Sequence, residues 1–134
     1  MSVVVADDHD GYREAIVRGL GQSDEVEVIG AVAGGAEALA RILRTSPAVA
    51  LLDVHMRDLG GLDVLEALRR ARARTRVILL SGETDLRTAR KAVAAGARGY
   101  LSKLALPDQI RAGVLAVASG GTAFAEELAD DLNA

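Results

Sequence analysis

No cysteine occurs among the 134 residues, which excludes disulfides, thiolate zinc sites and cysteine nucleophiles. Tryptophan is missing too, and there are only one Phe and two Tyr although half of the chain is hydrophobic. The core must therefore be built from Ala, Val, Leu and Ile, a composition that suits close packing of helices on a sheet. Positive charge is not in excess: the formal net charge is -3 and the pI is near 5.4. A free-standing nucleic-acid binder needs clustered Lys and Arg in excess, so direct DNA or RNA binding is not expected. The one basic stretch, Arg69 to Arg74, reads as the solvated end of a helix, where cations are favoured. No apolar run reaches transmembrane length, and Asp7 and Asp8 interrupt the N-terminal hydrophobic stretch too early for a signal peptide. A cytoplasmic protein without membrane contact is expected, with one domain of ordinary size.

What is present is concentrated at the ends of four hydrophobic runs. Val3-Val4-Val5-Ala6 ends on Asp7-Asp8, Val49-Ala50-Leu51-Leu52 on Asp53, Val77-Ile78-Leu79-Leu80 on Ser81, and Gly99-Tyr100-Leu101-Ser102 on Lys103. Short apolar, β-branched runs separated by helix-length segments read as buried parallel strands, whose carboxyl ends share one edge. Three carboxylates, a hydroxyl and an ammonium should meet there. Such a set suits a divalent cation and a phosphoryl group, because the ion offsets carboxylate repulsion and the ammonium binds phosphate oxygens.

Along the chain, expected strands near 2–7, 26–32, 48–53, 76–81 and 98–102 alternate with helices near 11–22, 35–45, 61–73, 84–95 and 107–119. The helical assignments rest on spacing: Leu86, Ala89 and Val93 share a face, as do Ile110, Val114, Val117 and Ala118. Asp10 is positioned to cap the first helix, Gly60-Gly61 opens the third, Gly96 closes the fourth and Pro107 suits a first turn. Right-handed crossovers then give an α/β fold, a doubly wound (βα)5 unit with a five-stranded parallel sheet in the order 2-1-3-4-5. Its switch point lies between the first and third strands, the two that end on Asp7, Asp8 and Asp53, and ligands of open α/β sheets bind at that point. The expected domain spans residues 1–121; residues 122–134 form a tail, a short appended helix or the start of a linker.

At these residues the chain resembles the receiver domain of two-component response regulators, a flavodoxin-like fold, from Val3 to about Gly121. The acidic pair, the lone Asp53, Ser81, Tyr100 and Lys103 fall in the family's order and spacing. Asp7-Asp8-His9, Leu52-Asp53-Val54, the stretch Gly96 to Leu101 and the stretch Ala116 to Gly121 are similar to the NarL/FixJ-type branch, whose members usually carry a C-terminal helix-turn-helix output domain. Residues 122–134 are then expected to be a tail or the start of the linker to such an output domain. The resemblance implies that Asp53 accepts a phosphoryl group from the phosphohistidine of a sensor histidine kinase, so that the protein is a phosphoacceptor assisting its own phosphorylation and dephosphorylation rather than an enzyme. It implies Mg²⁺ or Mn²⁺ held by Asp8, Asp53 and the backbone carbonyl of His55, with Asp7 acting through water. Lys103 would pair with phosphoryl oxygens, Ser81 would read the phosphorylated state, and Tyr100 would rotate behind it. The face made by the fourth helix, fifth strand and fifth helix would then control homodimer formation or an output, and His55 and Glu83 would set the phosphoryl lifetime.

Each residue alone has a plainer role: Asp7-Asp8 as helix caps, Asp53 as a turn residue, Ser81 as a loop hydroxyl, Lys103 as a surface charge. Their arrival in order from independent strand ends favours the site. His9 and His55 lack zinc-ligand spacing to a second His. A pseudo-receiver that is not phosphorylated would keep the fold but normally loses part of the set. A flavodoxin-like cofactor protein needs a hydroxyl- and glycine-rich phosphate loop where Asp7-Asp8-His9-Asp10 stands, and an aspartate-nucleophile phosphatase needs a carboxylate at position 55, which is His55. Two departures from the family matter. Arg57 replaces the proline usual four residues after the phosphoacceptor, and Leu104 follows Lys103, so a cis peptide there would cost about 3 kcal/mol.

Overall fold

The computed structural model describes residues 1–83 and 85–132. Six strands, β1 (Ser2–Ala6), β2 (Glu27–Val32), β3 (Val49–Asp53), β4 (Arg76–Ser81), β5 (Gly99–Ser102) and β6 (Ala123–Phe124), form one sheet in the order β2-β1-β3-β4-β5-β6. All neighbouring pairs are parallel. Six helices connect or follow them: α1 (Asp10–Leu20), α2 (Gly35–Thr45), α3 (Gly61–Arg70), α4 (Leu86–Ala94), α5 (Pro107–Ala118) and α6 (Glu126–Leu132).

The period-two pleat of the central strands explains why both faces are covered. Val3, Val5, Val49, Leu51, Ile78 and Leu80 face α1 and α5 through Ile16, Leu20, Ile110, Val114 and Val117. The alternate residues Val4, Ala6, Ala50, Leu52, Val77 and Leu79 face α2, α3, α4 and α6 through Ile42, Leu65, Leu68, Ala92 and Leu128. With almost no aromatics, helices approach closely, and glycine makes the tightest approaches possible. A Cβ on Gly61 would lie 2.6 Å from the carbonyl oxygen of Asp53, so the third helix starts directly against the third strand's end.

The expected five strands and their order are present, and the sheet carries one strand more. Ala123 and Phe124 pair with Gly99 and Tyr100, and Leu128 of α6 is buried against the core. Two residues following Gly120-Gly121 carry too little pattern to be read as a strand; the acidic stretch after them, expected as a short helix or the start of a linker, forms α6. Asp10 does not cap α1: His9 holds the cap position without a side-chain bond, and Asp10, inside the first turn, pairs with Arg13 at 2.9 Å. The α3 helix stops at Arg70, before the expected 73, because Arg72 takes a left-handed φ of 56°. The α4 helix starts after its cap Asp85, which accepts bonds from the Arg87 amide and the Thr88 hydroxyl; the expected start at 84 lies outside the described residues, as do the last two residues of the expected tail. Gly60, Gly96 and Pro107 occupy the expected cap, left-handed and first-turn positions. Among the described residues every peptide bond is trans, including Lys103–Leu104, and no helix is long and apolar enough to cross a membrane.

Candidate functional site

The parallel register delivers the site residues to one edge. Ala6 pairs with Leu52, Asp53 with Leu80 and Ser81 with Ser102, so the residues beginning each following loop emerge side by side. Backbone bonds extend the ladder past the strands, from Asp7 N–H to the Val32 carbonyl, from Val54 N–H to the Leu80 carbonyl and from Lys103 N–H to the Ser81 carbonyl. The loops therefore leave the sheet with their first residues fixed.

Asp7 is fully buried and Asp53 is 2% exposed. Such carboxylates need compensation, and Lys103 supplies it: its Nζ lies 2.7 Å from Asp7 Oδ2 and 3.2 Å from Asp53 Oδ2. The same ammonium stands 4.5 Å above the centre of the Tyr12 ring. Asp53 Oδ1 accepts the His55 amide at 3.1 Å, and Asp7 Oδ1 accepts the His9 amide at 2.8 Å. Burial pushes the Asp53 carboxyl above its ordinary range, and the Asp7 charge adds to this, while the His55 amide and Lys103 pull the other way without prevailing. Burial disfavours the Lys103 ammonium, but bonds and charges from Asp7 and Asp53 outweigh it and its pKa is raised. The Tyr12 hydroxyl is raised by burial and then by Asp7 and Asp53.

Asp7, Asp8, His9 and Asp53 each offer a ligand atom, and these atoms lie within 4.8 Å of one another. Asp8 Oδ1 is buried and makes no hydrogen bond. A hard divalent cation fits this set, because it would satisfy the orphaned oxygen and reduce repulsion among three carboxylates. An open pocket of about 520 Å³ adjoins it, lined by Asp8, His9, His55, Arg57, Gly60 and Asp63.

The other residues singled out in the sequence lie around this centre. The Ser81 hydroxyl is buried and turned into its own loop, donating to the Glu83 carbonyl and accepting the Glu83 amide at 3.2 Å. The Glu83 and His55 residues are exposed. Tyr100 is fully buried, with an Oη that makes no hydrogen bond. Burial raises its pKa, the Ser81 hydroxyl opposes this and Asp85 adds to it.

Three contributors escaped the sequence reading, and a fourth, His9, was weighed there only as a zinc ligand and set aside. The His9 ring enters the carboxylate cluster, and Tyr12 lies under Lys103. Arg13 donates to the Asp7 carbonyl at 2.7 Å, steadying the acidic turn. Exposed Asp58, in the loop after Asp53, accepts the Gly35 and Ala36 amides at 3.0 and 3.1 Å and so caps α2; the Ala36 and Gly35 amides hold its carboxyl below the usual range. Only Arg13 had a local signal, its i,i+3 spacing from Asp10.

The model of the response regulator receiver domain family matches residues 3–115. NarL of Mycobacterium tuberculosis H37Rv is 38% identical over 130 residues, which cover 97% of this chain and 60% of that protein. The transcriptional regulatory protein UhpA of Escherichia coli K12 is 33% identical over 129 residues, covering 96% of this chain and 64% of UhpA. The chain spans about three fifths of the length of the curated relatives it matches. The solved signal receiver domain of the Mycobacterium tuberculosis NarL superposes with a TM-score of 0.86 at 39% identity, covering 89% of this chain and 96% of that one. With the sheet order, the acidic edge and the family match in agreement, the chain belongs to the response regulator receiver domain family.

Proposed function

We propose that this receiver domain takes a phosphoryl group onto Asp53 from a sensor histidine kinase in a reaction that depends on Mg²⁺ or Mn²⁺. The observation that carries this reading is the placement of one nearly buried carboxylate, Asp53, 3.2 Å from a lysine and beside two further carboxylates that have ligand atoms to spare. An Asp53 oxygen attacks phosphorus, the bond from phosphorus to the donor's histidine nitrogen breaks, and an acyl phosphate results. Asp8, Asp53 and the His55 carbonyl would hold the cation, with Asp7 assisting through water. Such an ion, when bound, neutralises charge on the transferring group and holds it in line, which is most of what phosphoryl transfer requires. Asp7 keeps Lys103 at the edge, and Lys103 then turns its ammonium to the phosphoryl oxygens. His55 and Glu83, both exposed on the loops around Asp53 and Ser81, set how readily water reaches the acyl phosphate.

Incubation with acetyl phosphate, followed by intact mass measurement, should show a gain of one phosphoryl group with Mg²⁺ and none with EDTA. A chain that stays unlabelled with Mg²⁺ would instead be an interaction module that is not phosphorylated.

The same geometry supports a switch. In the unphosphorylated protein the Ser81 hydroxyl is committed to Glu83, so its capture by a phosphoryl oxygen would release Glu83 and change the space around Tyr100. The readout would be the face of α4, β5 and α5, where Leu104 and Leu106 are 87% and 64% exposed. A homodimer or a docked output domain through this face fits that exposure, and a coupling of ~1–3 kcal/mol suffices for a switch. Transcriptional output is proposed by likeness to UhpA, through a DNA-binding domain rather than through direct nucleic-acid contact by the acidic receiver.

Ser81→Ala should retain labelling at Asp53 yet lose most of this coupling, because the hydroxyl reads the phosphoryl group and does not attack. Sedimentation with a phosphoryl mimic, alongside the mass measurement, separates the two effects. Loss of labelling as complete as that expected without metal would assign Ser81 to the chemistry instead.

A further inference from the structure

His9 is placed differently from the other residues of the acidic edge, and its surroundings cannot all be satisfied by an imidazole alone. Its Nδ1 lies 3.0 Å from Asp7 Oδ1, 3.2 Å from Asp8 Oδ1, 3.8 Å from Asp53 Oδ2 and 3.2 Å from Lys103 Nζ. A neutral ring nitrogen is either a donor or an acceptor. As an acceptor from Lys103 it turns its lone pair toward the carboxylate oxygens. As a donor it directs its proton into a space shared with the ammonium and serves one carboxylate well at most. Neither arrangement satisfies Asp8 Oδ1, which is buried without a hydrogen bond. Asp7 is fully buried, and its Oδ2 likewise has no aligned hydrogen bond, only the ionic contact with Lys103. A cation accepting the Nδ1 lone pair and the carboxylate oxygens together satisfies all of these atoms.

We propose that His9 is a nitrogen ligand of the divalent-cation site, which makes this site select imidazole-binding metals such as Co²⁺, Ni²⁺ or Zn²⁺ over Mg²⁺. The inference rests on the reading of Asp8 and Asp53 as the cation-holding pair. Its chemistry is simple: Mg²⁺ is satisfied by carboxylate, carbonyl and water oxygens, whereas imidazole strengthens binding of the later first-row divalent ions. The absence of cysteine leaves His9 and His55 as the only soft side-chain donors apart from methionine thioethers. The His55 ring is not among the clustered ligand atoms. The His9 side chain is 68% exposed, so its replacement should not disturb the core.

The test uses the untagged full chain, wild type and His9→Ala, with His55→Ala and Asp53→Asn as controls. Co²⁺ and Mg²⁺ affinities are measured by calorimetry, and pulsed electron paramagnetic resonance of the Mn²⁺-loaded protein detects directly bound ¹⁴N. Wild type and His55→Ala should show nitrogen coupling and His9→Ala should not. The same His9→Ala variant should bind Co²⁺ about tenfold more weakly, a loss comparable to that from disturbing a metal ligand's support, while Mg²⁺ affinity changes much less. Absence of nitrogen coupling in a wild type that binds Mn²⁺ in an Asp53-dependent way would overturn the ligand role and leave the receiver site intact. Coupling that survives His9→Ala would overturn it too. Failure of wild type to bind either ion would remove the cation site itself, and the inference with it.

Discussion

Asp53→Asn should take up no phosphoryl group from acetyl phosphate and, in EDTA at neutral pH, should melt at a higher temperature than the wild type. The first effect is complete because no other group in the centre replaces the nucleophile: Asp7 is engaged with Lys103, and the Ser81 hydroxyl points into its own loop. The second effect follows from electrostatics. Burial, reinforced by Asp7, outweighs the His55 amide and Lys103 and raises the Asp53 pKa, so the fold favours the neutral form of this side chain. For a carboxyl raised above its unfolded value, the charged state weakens folding above the folded pKa, and that penalty disappears as pH falls through it. The Asn variant, neutral at every pH, should therefore show its greatest advantage near pH 7 and little advantage in acid. A gain of order 1 kcal/mol corresponds to about 3–5 °C in a domain of this size. Adding Mg²⁺ should reverse the ranking, because wild type gains by mass action and the variant has lost one ligand. A lower melting temperature for Asp53→Asn in EDTA would mean that the contact with Lys103, and not burial, governs Asp53.

The contrast between what the sequence made legible and what it hid follows the range of the interactions. Strand ends were legible because alternation and β-branching mark the runs, and because a parallel sheet admits one arrangement of their carboxyl ends; Asp7, Asp8, Asp53, Ser81 and Lys103 follow from that alone. Their mutual contacts were not. Lys103 lies fifty residues from Asp53 in the chain, and whether its ammonium reaches one carboxylate or two depends on loop paths that no local pattern encodes. The Asp58 cap on α2 joins residues 23 apart and has no counterpart in ordinary capping patterns, which are local. Asp10 illustrates the reverse error: a residue type favoured at caps stood next to the helix start, but the helix began one residue earlier and His9 took the cap position. That shift of one residue also helps explain His9. As the residue between the acidic turn and the first helical residue it is anchored by its own amide to Asp7 Oδ1, and its ring folds back over the carboxylates. The two-residue β6 lacked both length and alternation, and it is held by the edge that β5 offers rather than by its own propensity.

Lys103→Met should lower the melting temperature in EDTA more than any other single change at this edge, and Mg²⁺ should restore most of the loss. Methionine keeps an apolar stem against the Tyr12 ring, so the variant removes mainly the charge. In the wild type the ammonium contacts Asp7 Oδ2 and Asp53 Oδ2 together, with only 13% of its side chain exposed. Removing one partner of a buried ionic cluster typically costs 3–5 kcal/mol, because the remaining charges keep their desolvation penalty and lose their compensation. Taking about 3 kcal/mol gives a fall of about 10 °C. A simple packing defect would be independent of pH, whereas this deficit should vary with it. Lys103 has a raised folded pKa, so its stabilisation is fully present below its unfolded pKa and is lost only as pH rises through the folded value, far into the alkaline range. The wild type thus has the whole contribution at neutral pH. In the variant, the ammonium opposing burial and Asp7 at Asp53 is gone; that carboxyl titrates higher still, and the deficit should narrow as pH is lowered toward 5. A divalent ion supplies the missing positive charge, so the Mg²⁺-induced rise should exceed that of wild type even though phosphorylation or switching fails for want of the ammonium. A melting deficit that neither narrows in acid nor responds to Mg²⁺ would show that Lys103 acts through packing on Tyr12, and the electrostatic account of this edge would have to be abandoned.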